Sequence, residues 1–297
     1  MVRFFATHPT ILPYSWQFFS LRRWFTLCLL LLTMLGCTAA RSPELSGWGP
    51  ILPSNDRNWM PNQMVLPYAE IEADQVYVYN IRNCDYRTKS SYEVRHYNKA
   101  YDLRDITSVD FIVVPFAGAT SLAHTMLSFE FNNDEYLAVS VEIRKERGET
   151  YEPLAGMLNQ FELMYVLGDE RDLIGLRTNH RLEDVYVYRA SATPEQARRL
   201  FMDVMQRINK LSVEPEFYNT LTNNCTTNIR RHINKLSPDT IPYDYRVLLP
   251  GLSDRLAFDL GLLERNGSFE QARVNARVNQ KAFAFRDDPE FSKKIRR

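Results

Sequence analysis

Two alternating stretches constrain this chain more than any other feature. Ser121 to Phe131 places Leu127, Phe129 and Phe131 on one face, and Tyr136 to Lys145 does the same with Leu137, Val139, Val141 and Ile143. Side chains alternate across a strand, so each stretch reads as a half-buried strand. In a hairpin the two apolar faces must coincide, and a one-residue slip would turn one of them to the wrong side. Odd positions therefore pair with odd ones, and Asn132-Asn133-Asp134 is the connection. The even positions form the other face. There His124 and Glu142 fall opposite or nearly opposite each other, at about 5 Å between Cβ atoms.

Asp74 to Arg82 sets Val76 and Val78 against Tyr77, Tyr79 and Ile81, a strand covered at least in part on both sides. Thr107 to Phe116 and Glu183 to Arg189 are further strands. Helices follow. Thr193-Pro194-Glu195-Gln196 is a capping box with Pro at the first helical position, continued by Leu200, Phe201, Val204, Met205 and Ile208 at helical spacing. A second helix starts near Asn224, and a third covers roughly Ser253 to Leu263. Strands followed by helices predict an α+β fold, an antiparallel sheet with packed helices. No internal repeat is present. The chain divides into 1–37, an export segment; 38–67, a tether rich in Pro, Asn and Trp; 68–265, the folded domain; and 266–297, a polar tail expected to be mobile or loosely helical.

The export segment carries Arg22 and Arg23 before an apolar run from Trp24 to Leu35, then small residues from Gly36. That is the plan of a signal peptide. The run is shorter than the roughly 20 residues of a comfortable membrane span. Met34-Leu35-Gly36-Cys37 resembles a bacterial lipobox, with Met where Leu is usual, and makes Cys37 a lipidation candidate. A plain uncleaved anchor is the alternative. Either way the remainder is expected on the periplasmic or extracytoplasmic side, tied to a membrane. Lys plus Arg and Asp plus Glu both total 36, which argues against nucleic acid as a partner. Of Cys28, Cys37, Cys84 and Cys225, the last two lie in the folded part. They allow one disulfide but no framework, and no Cys/His spacing suggests zinc. No metal or cofactor is expected, and the oligomeric state is left open.

Cys225 lies in Asn223-Asn224-Cys225-Thr226-Thr227. Asn223 or Asn224 is a good N-cap, which puts the thiol in the first turn of a helix. Backbone N–H groups there lower a thiol pKa and can bind an oxyanion. Ile229, Ile233 and Leu236 share its helix face, so the thiol points into the body or a cleft. A small buried hydrophobe is the competing reading, against which stand the polar neighbours. His124 is the candidate base, with Glu142 to orient it and stabilise its charged form. The competing reading is a solvated strand face holding His124, Ser140, Glu142 and Arg144. His232 lies along the helix of Cys225 and reads as a packed histidine. Gly168 to Asp172 starts a short helix with a solvated acidic cap. Glu214 to Tyr218 is a rigid approach whose aromatics could wall a groove, and Cys84 lacks a helix-start context.

Several of these segments, in order, resemble one family. They are Val109-Asp110-Phe111, His124 to Phe129, Ser140 to Glu146, Glu162 to Val166, Gly168 to Asp172, Pro215 to Asn219 and Asn223 to Thr226. The family is that of the N-terminal periplasmic domain of lipoprotein N-acyltransferase Lnb, and the resemblance covers roughly Gln75 to Leu236. It implies a permuted papain-like, NlpC-like thiol fold with His124 as base, Cys225 as nucleophile and Glu142 as supporting acid. It also implies acyl transfer between a lipid or lipoprotein and an amine at a membrane surface. Family members of the acyltransferase type carry membrane spans after the domain, whereas a polar stretch follows here, a departure that leaves the acceptor open. Two other functions fit the same residues: an NlpC-like cell-wall peptidase or amidase, and a non-enzymatic envelope lipid-binding lipoprotein. A polar, open cleft would favour the peptidase; a narrow apolar groove would favour a lipid.

Overall fold

The strands come first in the chain, as the sequence predicts. In the structure, a computed structural model that describes residues 52–150, 156–237 and 240–297, they are β1 (Tyr68–Glu72), β2 (Gln75–Arg82), β3 (Asp85–Tyr86), β4 (Tyr92–Glu93), β5 (His96–Asp102), β6 (Ile106–Phe116), β7 (Ala119–Phe131), β8 (Glu135–Arg144), β9 (Glu162–Gly168) and β10 (Tyr186–Arg189). The helices are α1 (Glu170–Gly175), α2 (Pro194–Val213), α3 (Cys225–Leu236), α4 (Tyr245–Leu248), α5 (Ser253–Asp259), α6 (Phe269–Ala276), α7 (Asn279–Ala284) and α8 (Phe291–Lys294). The export segment, with Cys37, lies outside the described residues.

One sheet has the order β1-β2-β9-β8-β7-β6-β10, with β5 also on β2. Its pairings are antiparallel, except that β2 meets β9 in parallel at Arg82 and Gly168. The expected α+β class is therefore observed, with a mostly antiparallel sheet. The β7–β8 register pairs Leu127 with Val139 and Phe129 with Leu137, so odd does meet odd. The connection is Asn132–Asp134, where Asn133 and Asp134 take positive φ of 66° and 56°. These residue types tolerate that region best after glycine.

Both faces of the sheet are covered. On the odd face of β7, Leu127, Phe129 and Phe131 pack with Phe111 of β6, Phe201 of α2 and Ile229 of α3. On the even face, Met126, Ala138 and Met164 pack under Leu173 and Ile174 of α1. The segment after 266 completes that second layer, which corrects the expectation of a loose tail. Val278, Ala282, Phe291 and Ile295 are buried against the sheet. Two pairs four residues apart make a stripe too narrow to register as amphipathic periodicity, yet each buried large side chain contributes about 1.5–3 kcal/mol.

The tether expectation is corrected in the same way for residues 52–67. Trp59 is buried, and the Arg144 guanidinium lies 4.2 Å from its ring centroid. Gln63 bonds both the Ile143 carbonyl and the Lys145 amide, at 2.9 and 2.8 Å. Side-chain amides here replace missing sheet partners at the end of β8, a role that composition does not reveal. Helix α5 stops short of the expected Leu263. Gly261 at φ 74° ends it, with the Leu262 amide donating back to the Ala257 carbonyl and that of Gly261 to Phe258, a Schellman stop that favours glycine.

Candidate functional site

Helix α3 begins where the sequence places it. Asn224 is the N-cap, its side chain accepting from the Thr227 amide at 2.8 Å while the Thr227 hydroxyl accepts from the Asn224 amide. The Asn224 carbonyl takes the Asn228 amide. The Cys225 and Thr226 amides are the end-of-helix donors that the cap leaves over. The approach loop is tied down by its own asparagines: Asn224 Nδ2 donates to the Thr220 carbonyl at 2.6 Å, and Asn223 Nδ2 to that of Phe217 at 2.8 Å. Cys225 is buried, and its thiol and that of Cys84 are both free, so the possible disulfide is not formed. Burial pushes the Cys84 thiol up to about 11, with Asp172 adding to the effect, which makes it a poor nucleophile.

Thr226, next to the thiol, meets Thr125 of β7 at 3.1 Å between hydroxyl oxygens. Thr125 faces α3, so alternation turns its neighbour His124 to the other face of the sheet. The two candidates still share a cavity of about 420 Å³, also lined by Ala123, Glu142 and Tyr218. The strand register shows where it opens. β7 pairs with β8 only as far as Met126 and Ser140, while β8 continues on β9 to Arg144. His124 and Glu142 lie past the point where the strands part. Among the described residues, His124 and Cys225 share no hydrogen bond.

His124 Nε2 lies 2.7 Å from Ser140 Oγ, and the Ser140 hydroxyl lies 2.8 Å from Glu142 Oε1. A carboxylate only accepts, so the hydroxyl donates to Glu142, and its oxygen is left to accept from Nε2–H. That assigns the other ring nitrogen, Nδ1, as the basic one. The carboxylate therefore orients the imidazole through Ser140 and not by the direct pairing expected from register. Ser140 was legible as a member of the same face, but not as a link.

The charge expectation is also corrected. Burial, then the Arg177 guanidinium, pushes His124 down to about 3, with Arg181 adding and Glu142 opposing. Burial opposes ionisation of Glu142 too, yet Arg82 and Arg177 hold its carboxyl well below the usual range. Glu142 is thus a fixed anion and His124 a neutral base. Arg177 comes from a π-helical turn, Leu176–His180, and donates to Glu142 Oε1 at 3.3 Å and to the Leu173 carbonyl at 2.7 Å. Such turns are rare and often sit at functional sites.

The acidic start of α1 is not a solvated cap. Asp172 accepts two bonds from Arg82, each at 2.9 Å, and Glu170 is paired with Arg296. His232 is a packed histidine, with Nδ1 2.6 Å from Asp203 and Nε2 2.8 Å from the Tyr165 hydroxyl. It clamps α3 to α2 and β9. Tyr218 walls the shared cavity. A second hollow, of about 350 Å³, lies on the α3 side of the sheet and is lined by Phe111, Leu127, Leu200, Ile229, Leu256 and Thr226. Adjacent residues of one helix turn, Cys225 and Thr226, therefore front two hollows, the first with several charged side chains on a largely apolar wall and the second almost wholly apolar.

Among the described residues no three or more His, Cys, Asp or Glu side chains are grouped to hold a metal ion, and none of their helices is long and apolar enough to cross a membrane. A family model described as the Lnb N-terminal periplasmic domain matches residues 92–251, just over half of the chain. No curated protein and no solved structure matches.

Proposed function

The chain belongs to the family of the Lnb N-terminal periplasmic domain, and on that premise we propose that it is an extracytoplasmic, membrane-tethered thiol acyltransferase or acyl hydrolase acting on a lipid-linked ester or amide. One observation carries the reading: Cys225 sits at a capped helix start with amide donors to spare, on a cavity whose other wall holds His124. The arrangement is read as permuted papain-like, with the base-bearing strand β7 before the nucleophile helix α3. Cys37, lipidated or within an uncleaved anchor, holds the domain at the membrane.

In the proposed reaction His124 Nδ1 takes the thiol proton of Cys225 as Sγ attacks the substrate carbonyl. The resulting oxyanion accepts from the Cys225 and Thr226 amides. The bond to the leaving group breaks, and His124 returns the proton to it. An amine or water then attacks the thioester, the C–S bond breaks, and the thiol re-forms. Sulfur and imidazole share no hydrogen bond, so approach of the two cavity walls around substrate is part of the proposal. The apolar hollow behind Thr226 suits an acyl chain. The charged side chains on the Cys225 cavity, among them Glu142, Lys145 and Arg177, favour the second reading, cleavage of an amide in a cell-wall peptide.

The test is intact and peptide-level mass spectrometry of the full chain incubated with a dioctanoyl glycerolipid. A hydroxylamine-sensitive octanoyl adduct on Cys225, lost in Cys225→Ala and slowed about 10²–10⁴-fold in His124→Ala, is expected. Undiminished acyl turnover by Cys225→Ala would end the reading. A thiol inert to lipid and peptide alike would leave a lipid-binding scaffold.

A further inference from the structure

The cavity at Cys225 holds more positive than negative charge. Its lining includes Arg82, Lys89, Lys145, Arg177 and Arg181 against Glu142 and Glu183. Two of the cations are committed. Arg82 is held by both Asp172 oxygens, and Arg177 by Glu142 and a carbonyl. Lys89, Lys145 and Arg181 have no carboxylate within salt-bridge distance among the described residues. Lys89 and Arg181 are exposed at the mouth, while Arg82 and Arg177 are buried beneath. Lys89 stands at the tip of the β3–β4 hairpin beside Ser90, which also lines the cavity. Low-dielectric walls and one sign of charge concentrate counter-ions in such a cleft.

We propose that this cavity binds an anionic group of the substrate, a phosphate ester or a carboxylate, between Lys89 and Arg181. The inference rests on the thiol reading and deepens it by naming the chemistry next to the scissile carbonyl. Guanidinium and ammonium groups at the mouth give charge-assisted bonds to such oxygens, and the arginine fork matches them two at a time. The bound anion also offsets the charge of Arg177 and Arg181 that disfavours protonation of His124. Substrate binding then strengthens the base that acts on it, which links recognition to the proton transfer.

The experiment compares alkylation of Cys225 by iodoacetate and by iodoacetamide at low ionic strength, read by peptide mass spectrometry on the full chain. The neutral reagent divides out any change in the thiol itself. The iodoacetate-to-iodoacetamide ratio is expected to fall about tenfold in K89Q/R181Q, the low end of electrostatic steering, and to fall in wild type when phosphate is added. An unchanged ratio in both cases overturns the proposal. Should Cys225 react with neither reagent, the thiol reading fails and the anion site is judged separately. Thermal stabilisation by inorganic phosphate or decyl phosphate, lost in K89Q/R181Q, supports it; no stabilisation by either overturns it. Stronger stabilisation by decyl phosphate marks a lipid headgroup as the source, and equal stabilisation a free anion.

Discussion

The hydroxyls of Thr125 and Thr226, 3.1 Å apart, join the strand that carries His124 to the helix that starts at Cys225. Both residues are buried, and each is the immediate neighbour of a candidate catalytic residue. A buried hydroxyl that loses its partner costs about 1–3 kcal/mol, whereas replacing both partners with apolar groups of like shape is nearly neutral. Thr125→Val and Thr226→Val are therefore each expected to destabilise by that amount, and the double variant by less than either. Urea unfolding of the three variants checks it. Additive losses would show that the two hydroxyls do not depend on each other.

Ser140 is the link between Glu142 and His124. In Ser140→Ala the imidazole loses the acceptor that fixes Nε2–H, so either tautomer forms and Nδ1 is basic in only a fraction of molecules. Acyl transfer is expected to fall by at least about tenfold, toward the 10²–10⁴ that general-base catalysis is worth. Ser140→Thr, which keeps the hydroxyl, should restore most of the rate. The rate of both variants against pH, with folding followed by circular dichroism, separates positioning from damage. Equal losses in Ala and Thr would remove the link from the mechanism.

The register of β7 and β8, and hence the shared face of His124, Ser140 and Glu142, followed from alternation alone. So did the helix start at Cys225, because an asparagine cap acts over three residues and leaves a local signature. What was not legible came from contacts distant in sequence. The pairing of β7 with β8 ends at Met126 because β8 stays with β9, and no local pattern encodes where two strands part. The neutral state of His124 comes first from burial and then from Arg177 and Arg181, more than fifty residues downstream. A solvated even face stayed open as the competing reading because its cover, Leu173 and Ile174 with the segment after 266, contributes only a few widely spaced apolar residues.

His124 also makes folding sensitive to pH in a definite direction. Its ordinary value is 6.5 and the folded value about 3. Between these limits the unfolded chain binds the proton and the folded chain does not, so stability rises with pH. The contribution is complete above 6.5 and is lost as pH falls toward 3. With the ring partly exposed, it is on the order of 2–4 kcal/mol at most. His96 is depressed in the same sense, so the difference between wild type and His124→Gln isolates the term. Between pH 7 and 5, above the range where Glu142 titrates, the wild type should lose more stability than the variant. Parallel curves from chemical denaturation would place His124 in a wetter, less cationic setting than its neighbours indicate.

The last turn of the chain is held by charge as well as by Phe291 and Ile295. Arg296 donates to Asp110 at 2.7 Å and to Glu170 at 2.8 Å, and Glu170 also accepts from the Ser128 hydroxyl at 2.6 Å. Glu170 and Asp110 are both almost fully buried, and Asp110 has Arg189 at 2.9 Å as a second cation. Arg296→Ala therefore leaves Glu170 without its cation, and removing one partner of a buried pair costs about 3–5 kcal/mol. Adding Glu170→Gln should recover much of that loss, because the remaining neutral amide can still bond Ser128. Thermal and urea unfolding of the single and double variants would show this as a lowered midpoint that partly returns. A loose tail would give no effect in either variant, whereas an anchored layer beneath β7 requires both the loss and its partial recovery.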